Sequence, residues 1–141
     1  MLIDSMINSL EDVLSVLSDE GYKPAIIGDA VSFRLGSSED AFLAIITILE
    51  NELTVTCQIG TIQNSDDLEK LATLGIAALD LNFSIRPYAI ATVRGADDSW
   101  PLVLTDSLSM TDLSPAELRI SIEGLRGAIH SCADFIRKFS L

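Results

Sequence analysis

Residues 114–141 constrain this chain more than any other stretch. Ser114 is a residue type that caps helices, Pro115 follows at the first helical position, and Glu117 lies three residues after the cap. A serine there accepts a hydrogen bond from the backbone N–H of the third helical residue, and the glutamate reaches back to the serine N–H. Proline's fixed φ suits the first turn. Beyond the cap, Leu118, Ile122, Leu125, Ile129, Cys132, Ile136 and Phe139 recur at alternating steps of four and three. That spacing draws a narrow apolar line along one helix face. Arg119, Glu123, Arg126, His130, Asp134 and Arg137 take the other side. A helix of this kind has to press its line onto another surface, and the strand-rich middle of the chain supplies one.

The preceding elements follow from the same kind of pattern. Residues 3–20 are predicted to form a helix, with Ile3, Met6, Ile7, Leu10, Val13, Leu14 and Leu17 on one face and Gly21 as its stop. Ala25–Ile27 is expected as a short strand. Val31, Phe33 and Leu35 alternate with polar residues, as in a strand with one buried face. Ala41–Leu49 is apolar at nearly every position. Phe42, Ala44, Ile46 and Ile48 face one way, and Leu43, Ile45 and Leu49 the other. Such a strand is expected to be covered on both sides, either by a helix of its own chain or by a second protomer or bound partner. After the turn at residues 50–52, Leu53, Val55, Cys57, Ile59 and Thr61 alternate as an antiparallel strand.

Asn64 is the expected cap of a helix over residues 65–81, with Ala72, Gly75, Ala77 and Ala78 among larger apolar residues on nearly every side. This predicts a helix buried on several faces. Gly75 in its interior costs roughly 1 kcal/mol relative to alanine, which close packing against another backbone would offset. Residues 83–94 read as a strand, with Pro87 marking an edge or bulge. A loop at residues 95–99 leads to a partner strand from Trp100, where Pro101 again suggests an edge. Trp100 suits either a cross-strand pair with Tyr88 or a partner-binding anchor. On the terminal helix Gly124 and Ala128, with Ser121 and Phe135, form a strip of small and apolar residues that would let another helix approach. The expected class is α+β: an antiparallel sheet with helices packed on it, as one domain over residues 1–141.

Composition narrows the function. The 141 residues carry 21 acidic side chains against 9 Lys and Arg, a net charge of −12. Thirteen of those acids and three of the bases lie in residues 1–70. Such a surface repels nucleic-acid phosphates and anionic lipid, and favours solubility or basic partners. The longest uncharged runs, Ala41–Leu49 and Leu71–Leu79, are too short to cross a bilayer, which takes about 20 residues. No Lys or Arg precedes Lys23, unlike an ordinary secretory signal. Cys57 and Cys132 both fall at apolar positions and are expected as free core thiols, so the location expected is cytoplasmic.

No chemistry is written in the motifs. His130 is the single histidine and lies on the polar side of the last helix. Glycines are dispersed, without a phosphate-cradling loop or a nucleophile elbow. The acidic pairs at residues 39–40, 66–67 and 97–98 are adjacent in sequence and suit loops and caps rather than a converging site. No catalytic, cofactor-binding or metal-binding residue is expected, and no cofactor.

The order of elements, helix, three or four strands, helix, two strands, helix, resembles the YbjN and type III secretion chaperone-like superfamily, whose small acidic members share an α-β-β-β-α-β-β-α order. The likeness runs from the helix ending at Gly21 to the long last helix. A second, shorter likeness lies in DSLSMTDLSPAELRISIEGL, Asp106–Leu125, which is similar to the end of the YjfI family. The first resemblance implies a non-enzymatic module that binds an extended segment of a protein client as a homodimer. The second implies instead an accessory or regulatory protein of a bacterial envelope-stress pathway. The residues expected to meet a partner are Leu43, Ile45, Leu49, Gly75, Trp100, Gly124 and Ala128.

Overall fold

A computed structural model describes residues 6–36, 41–63, 67–92 and 99–141. Six strands form one sheet in the order β1-β2-β3-β4-β6-β5, with β1 Ala25–Ile27, β2 Ala30–Leu35, β3 Phe42–Leu49, β4 Glu52–Gln63, β5 Ala89–Thr92 and β6 Ser99–Ser109. The helices are α1 Leu10–Asp19, α2 Leu68–Asn82, α3 Pro115–Ser131 and α4 Ala133–Lys138. β1, β2, β3 and β4 pair antiparallel in sequence, and β5 pairs antiparallel with β6. Between β4 and β6 the Met110 N–H donates to the Asn51 carbonyl at 2.9 Å, and the Thr54 and Ser107 hydroxyls lie 3.2 Å apart. Residue numbers rise on one strand as they fall on the other, so this pair is antiparallel too. The α+β class expected from the sequence is the observed one.

The chain divides into two compact units, residues 1–57 with 106–123 and residues 58–105 with 124–141. In the first unit, Ser9 caps α1 by accepting the Asp12 N–H, while the Asp12 carboxylate accepts the Asn8 N–H. This reciprocal cap starts the helix at Leu10 instead of residue 3 and leaves Met6 exposed. Ile7 is buried, with its N–H donating to the Leu113 carbonyl. Residues 1–5 lie outside the described residues. Gly21 ends α1 at φ +93°, with Tyr22 N–H bonding to Leu17 O and Gly21 N–H to Ser18 O, a Schellman stop. The inward rows of the sheet run Val31–Ile46–Val55 and Phe33–Ala44–Cys57, all buried. Glu50 and Asn51 make the two-residue β3–β4 turn, both at positive φ, as a type I′ turn requires. The capping box of α3 forms as expected: Glu117 N–H donates to Ser114 Oγ and Ser114 N–H to Glu117 Oε2. Leu118 and Ile122 are buried behind it.

In the second unit the apolar line continues through Leu125, Cys132 and Phe139, all buried. The sequence predicts one unbroken helix over 114–141. The structure breaks it at Cys132, whose N–H bonds to both the Ala128 and Ile129 carbonyls before α4 resumes. Ser121 in the first unit and Ala128 and Phe135 in the second are buried, while Ile129 and Ile136 are only half-buried. The inward strip is therefore rotated from the expected line. The strand expected from residue 83 starts at Ala89, because residues 83–88 form turns with a cis Arg86–Pro87 peptide. Pro101 lies near the start of β6, which is an interior strand. The edge role expected for Pro101 is not observed, since proline is tolerated at a strand's beginning.

The expected cap Asn64 lies outside the described residues. Asp67 caps α2 instead, accepting the Lys70 N–H at 2.7 Å.

Candidate protein-binding surfaces

Leu74 is the one described residue of α2 that is fully buried. The expectation of a helix enclosed on several sides fails. Leu68, Ile76, Leu79 and the following Phe83 are between 70% and 83% exposed, with Ala72 also exposed among them. Their steps of four, four, three and four set them on one outer face. Phe83 carries the Arg86 guanidinium over its ring, 4.5 Å from the centroid. A cation over an aromatic face leaves the ring's apolar flank in place while supplying a charge beside it. Isolated exposed apolar residues are ordinary on a protein surface, whereas an aligned row of large ones is a candidate docking surface.

Gly75 does not serve the close approach expected of it. Among the described residues, a Cβ built there meets nothing within 4 Å beyond its own helix, so no described backbone packs against it.

In the first unit the second surface is the outward face of β3. Leu43 and Ile45 are exposed, and Leu49 is 73% exposed. The two-sided covering expected for this strand is therefore absent within the described residues of the chain, and Ala44 and Ile46 alone are enclosed. The register sets Leu43 beside Arg34, and Ile45 between Ser32 and Thr56. Leu49 is paired with Glu52, so each of the three outward apolar residues has a polar or charged cross-strand neighbour that leaves it open. At the end of this strand, Glu50, Asn51 and Glu52 with Ser107, Leu108 and Ser109 line an open cleft of about 230 Å³.

The remaining residues singled out from the sequence have other places. Gly124 lies under the Tyr88 ring, where a Cβ would come 3.5 Å from Cε1. Ala128 is buried. Gly124 therefore faces an aromatic ring of its own chain, and Ala128 is enclosed. Trp100 is half-buried near the start of β6. The β5–β6 register sets Ala89 opposite Thr105 and Thr92 opposite Leu102, so Tyr88 and Trp100 sit at opposite ends of the hairpin and do not form the expected pair. The exposed α2 row was missed because its small residues hid the spacing of its large ones. Phe83 at the C-cap, four residues after Leu79, was the available signal.

Among the described residues no group of three or more His, Cys, Asp or Glu side chains could hold a metal ion. His130 is exposed. Burial pushes the Cys57 thiol up to about 12 and the Cys132 thiol to about 11, so both stay protonated near neutrality, far from nucleophilic thiolates. Desolvation raises the Asp106 carboxyl above its ordinary value. It accepts a hydrogen bond from Ser121 Oγ at 3.2 Å, which partly opposes the shift. No described helix is long and apolar enough to cross a membrane.

No family model matches the chain, and no curated protein matches it. Solved structures do. The crystal structure of YbjN from E. coli, described as a candidate transcription regulator, superposes with a TM-score of 0.67 at 16% identity, over 94% of this chain and 92% of that one. An uncharacterised protein from Methanothermobacter thermautotrophicus gives a TM-score of 0.50 at 15% identity, over 94% of this chain and 99% of the other. At so low an identity the likeness shows the architecture alone. The chain thus has the YbjN-like fold, a six-stranded antiparallel sheet with helices packed on it.

Proposed function

We propose that this chain is a non-enzymatic, secretion-chaperone-like module that binds a protein client as a homodimer, with residues 1–141 acting as one domain. The exposed apolar row of α2 carries the reading. Burying a large apolar side chain contributes roughly 1.5–3 kcal/mol. Leu68, Ile76, Leu79 and Phe83 from two copies together match the roughly 4–15 kcal/mol that association costs in lost freedom. Two such helices laid side by side satisfy each other with one self-complementary patch, as a two-fold dimer requires. The outward face of β3, with Leu43, Ile45 and Leu49, is then left for the client. The buried thiols of Cys57 and Cys132 suit a reducing cytoplasmic setting. The acidic surface turns the module away from nucleic acid and membrane.

Sedimentation equilibrium at tens of micromolar tests this. The expected mass is twice the 15.2 kDa of the chain. The double variant Ile76→Asp/Leu79→Asp should return the single-chain mass with its circular dichroism unchanged. A wild-type chain that stays monomeric throughout that range overturns the homodimer.

A further inference from the structure

β5 is an edge strand, and its own residues do nothing to guard it. Ala89–Thr92 reads Ala-Ile-Ala-Thr, with no charge and no proline. A bare edge of this kind invites pairing with another copy, because outward N–H and C=O groups are a template for one more strand. The β1 edge, by comparison, is only three residues long and is preceded by Lys23 and Pro24.

The guard of β5 comes from α2. Asn82, the last residue of that helix, lays its side-chain amide along the strand. Ile90 N–H donates to Asn82 Oδ1 at 2.6 Å, and Asn82 Nδ2 donates to the Ile90 carbonyl at 3.5 Å. An asparagine amide offers an acceptor and donors in one plane, as the peptide of a neighbouring strand does. Bonds alternate along an antiparallel ladder. With the Ile90 peptide groups turned outward, those of Ala89 and Ala91 face β6. Asn82 thus fills the pairing position in the middle of the edge. It lies between Leu79 and Phe83 in sequence, yet it is half-buried where they are exposed. One helix therefore presents an apolar row outward and covers a strand edge with its final residue.

An uncovered β5 would suit a second copy of itself. Two such strands run antiparallel set Ala-Ile-Ala-Thr against Ala-Ile-Ala-Thr, with no charge on either to oppose the pairing. A chain with two different self-pairing faces does not stop at a pair. The first face makes pairs and the second links them into an open row. We propose that Asn82 limits assembly: its amide stands in for a seventh strand and keeps the β5 edge from pairing with the β5 edge of a second copy. The row on α2 is then left as the face through which copies meet. That last step rests on the homodimer proposed above, whereas the closed edge does not.

The test places Asn82→Ala in two full-length backgrounds, wild-type and Ile76→Asp/Leu79→Asp, and follows sedimentation velocity from tens to hundreds of micromolar. Alanine removes both bonds and is the better helix former, so α2 keeps its last turn. In the Ile76→Asp/Leu79→Asp background the single chain should become a pair. In the wild-type background species larger than a pair should grow with concentration. Adding Thr92→Lys puts a charge on an exposed position of the edge and should return each background to its parent's mass. Amide exchange of the wild-type chain needs no variant to fold. There the outward Ile90 N–H should exchange at least about a hundredfold more slowly than an unstructured amide. Exchange of Ile90 at the unstructured rate overturns the proposal, as does a folded Asn82→Ala that keeps its parent's mass in both backgrounds. Growth that Thr92→Lys does not reverse overturns it too, since the copies then meet elsewhere. Pairs in both backgrounds uphold the closed edge and sink the α2 homodimer. A wild-type pair whose mass Asn82→Ala leaves alone does the reverse.

Discussion

Helices α2 and α3 have similar lengths and similar apolar periodicity, and they end in opposite environments. The line begun by Leu118 and Ile122 and carried on by Leu125 is buried, whereas Leu68, Ile76 and Leu79 of α2 stand in solvent. The difference teaches that periodicity locates a face and leaves open what covers it. On α3 the polar residues between the apolar ones are long and charged, namely Arg119, Glu123 and Arg126, and only one face is fit for burial. On α2 the intervening residues are mostly alanine, threonine and glycine, so several faces are nearly equivalent. Leu74 takes the inward position, and a full row of larger residues remains outside.

The sharpest break in this comparison comes from truncating one leucine in each helix. Leu125 is completely enclosed, and Leu125→Ala should cost about 2–5 kcal/mol in urea unfolding, because the transfer and cavity terms both apply. Leu79→Ala should change the stability of the monomeric chain by no more than about 0.5 kcal/mol, since little apolar area leaves water there. If the two losses are similar, the exposed row of α2 is not exposed in solution. If two copies associate through this row as proposed, the Leu79→Ala loss should grow with protein concentration, because binding stabilises the folded state by mass action.

The same contrast explains how much of the molecule was legible beforehand. The Ser114–Glu117 box, the stop at Gly21 and the alternation of β4 each rest on local chemistry that needs no distant partner, and each is found where the residues place it. The start of α1 was misplaced because Ser9 with Asp12 makes a cap whose force was hidden by the apolar residues before it. Gly124 resembles part of a helix-docking strip in sequence, and only the position of the Tyr88 ring shows what it meets within its own chain. For α2 and the outward face of β3, burial is a tertiary property. Leu43, Ile45 and Leu49 read as covered because nothing in a strand's own sequence says which layer is missing.

A titration sharpens the comparison next. The buried line at the end of α3 includes Cys132, whose thiol is pushed up to about 11 from an ordinary 9.0, and buried Cys57 of β4 is pushed up to about 12. The exposed row of α2 holds no titratable group. A folded-state pKa above the unfolded one means the folded chain retains protons that the unfolded chain releases. The stabilising contribution is complete below pH 9 and is lost as pH climbs toward 11 and 12. The urea midpoint should therefore fall steadily above pH 9. The fall should be shallower in Cys57→Ala/Cys132→Ala, and unchanged in slope in Ile76→Asp/Leu79→Asp. An alkaline slope indifferent to the cysteines would show that the thiols are solvated, and would remove α3's line from the core.

The smallest effect separates the two helices at their glycines. Gly75 stands mid-helix in α2 with no atom within 4 Å of a built Cβ, while Gly124 in α3 has the Tyr88 ring at 3.5 Å. Alanine at position 75 keeps helical geometry, reduces the freedom of the unfolded chain and meets no neighbour, so Gly75→Ala should raise stability by about 0.5–1 kcal/mol. Gly124→Ala gains the same backbone advantage and adds an ordinary van der Waals contact, so alanine is tolerated at both sites. Extending the side chain discriminates between them. Leucine at 75 should remain harmless to the folded monomer, whereas leucine at 124 drives its branch into Tyr88 and should cost about 1–3 kcal/mol through overpacking. Urea midpoints of the four variants read this directly. A destabilised Gly75→Ala would mean that a neighbour does press on that face of α2, and the helix would then resemble α3 more closely than its open row implies.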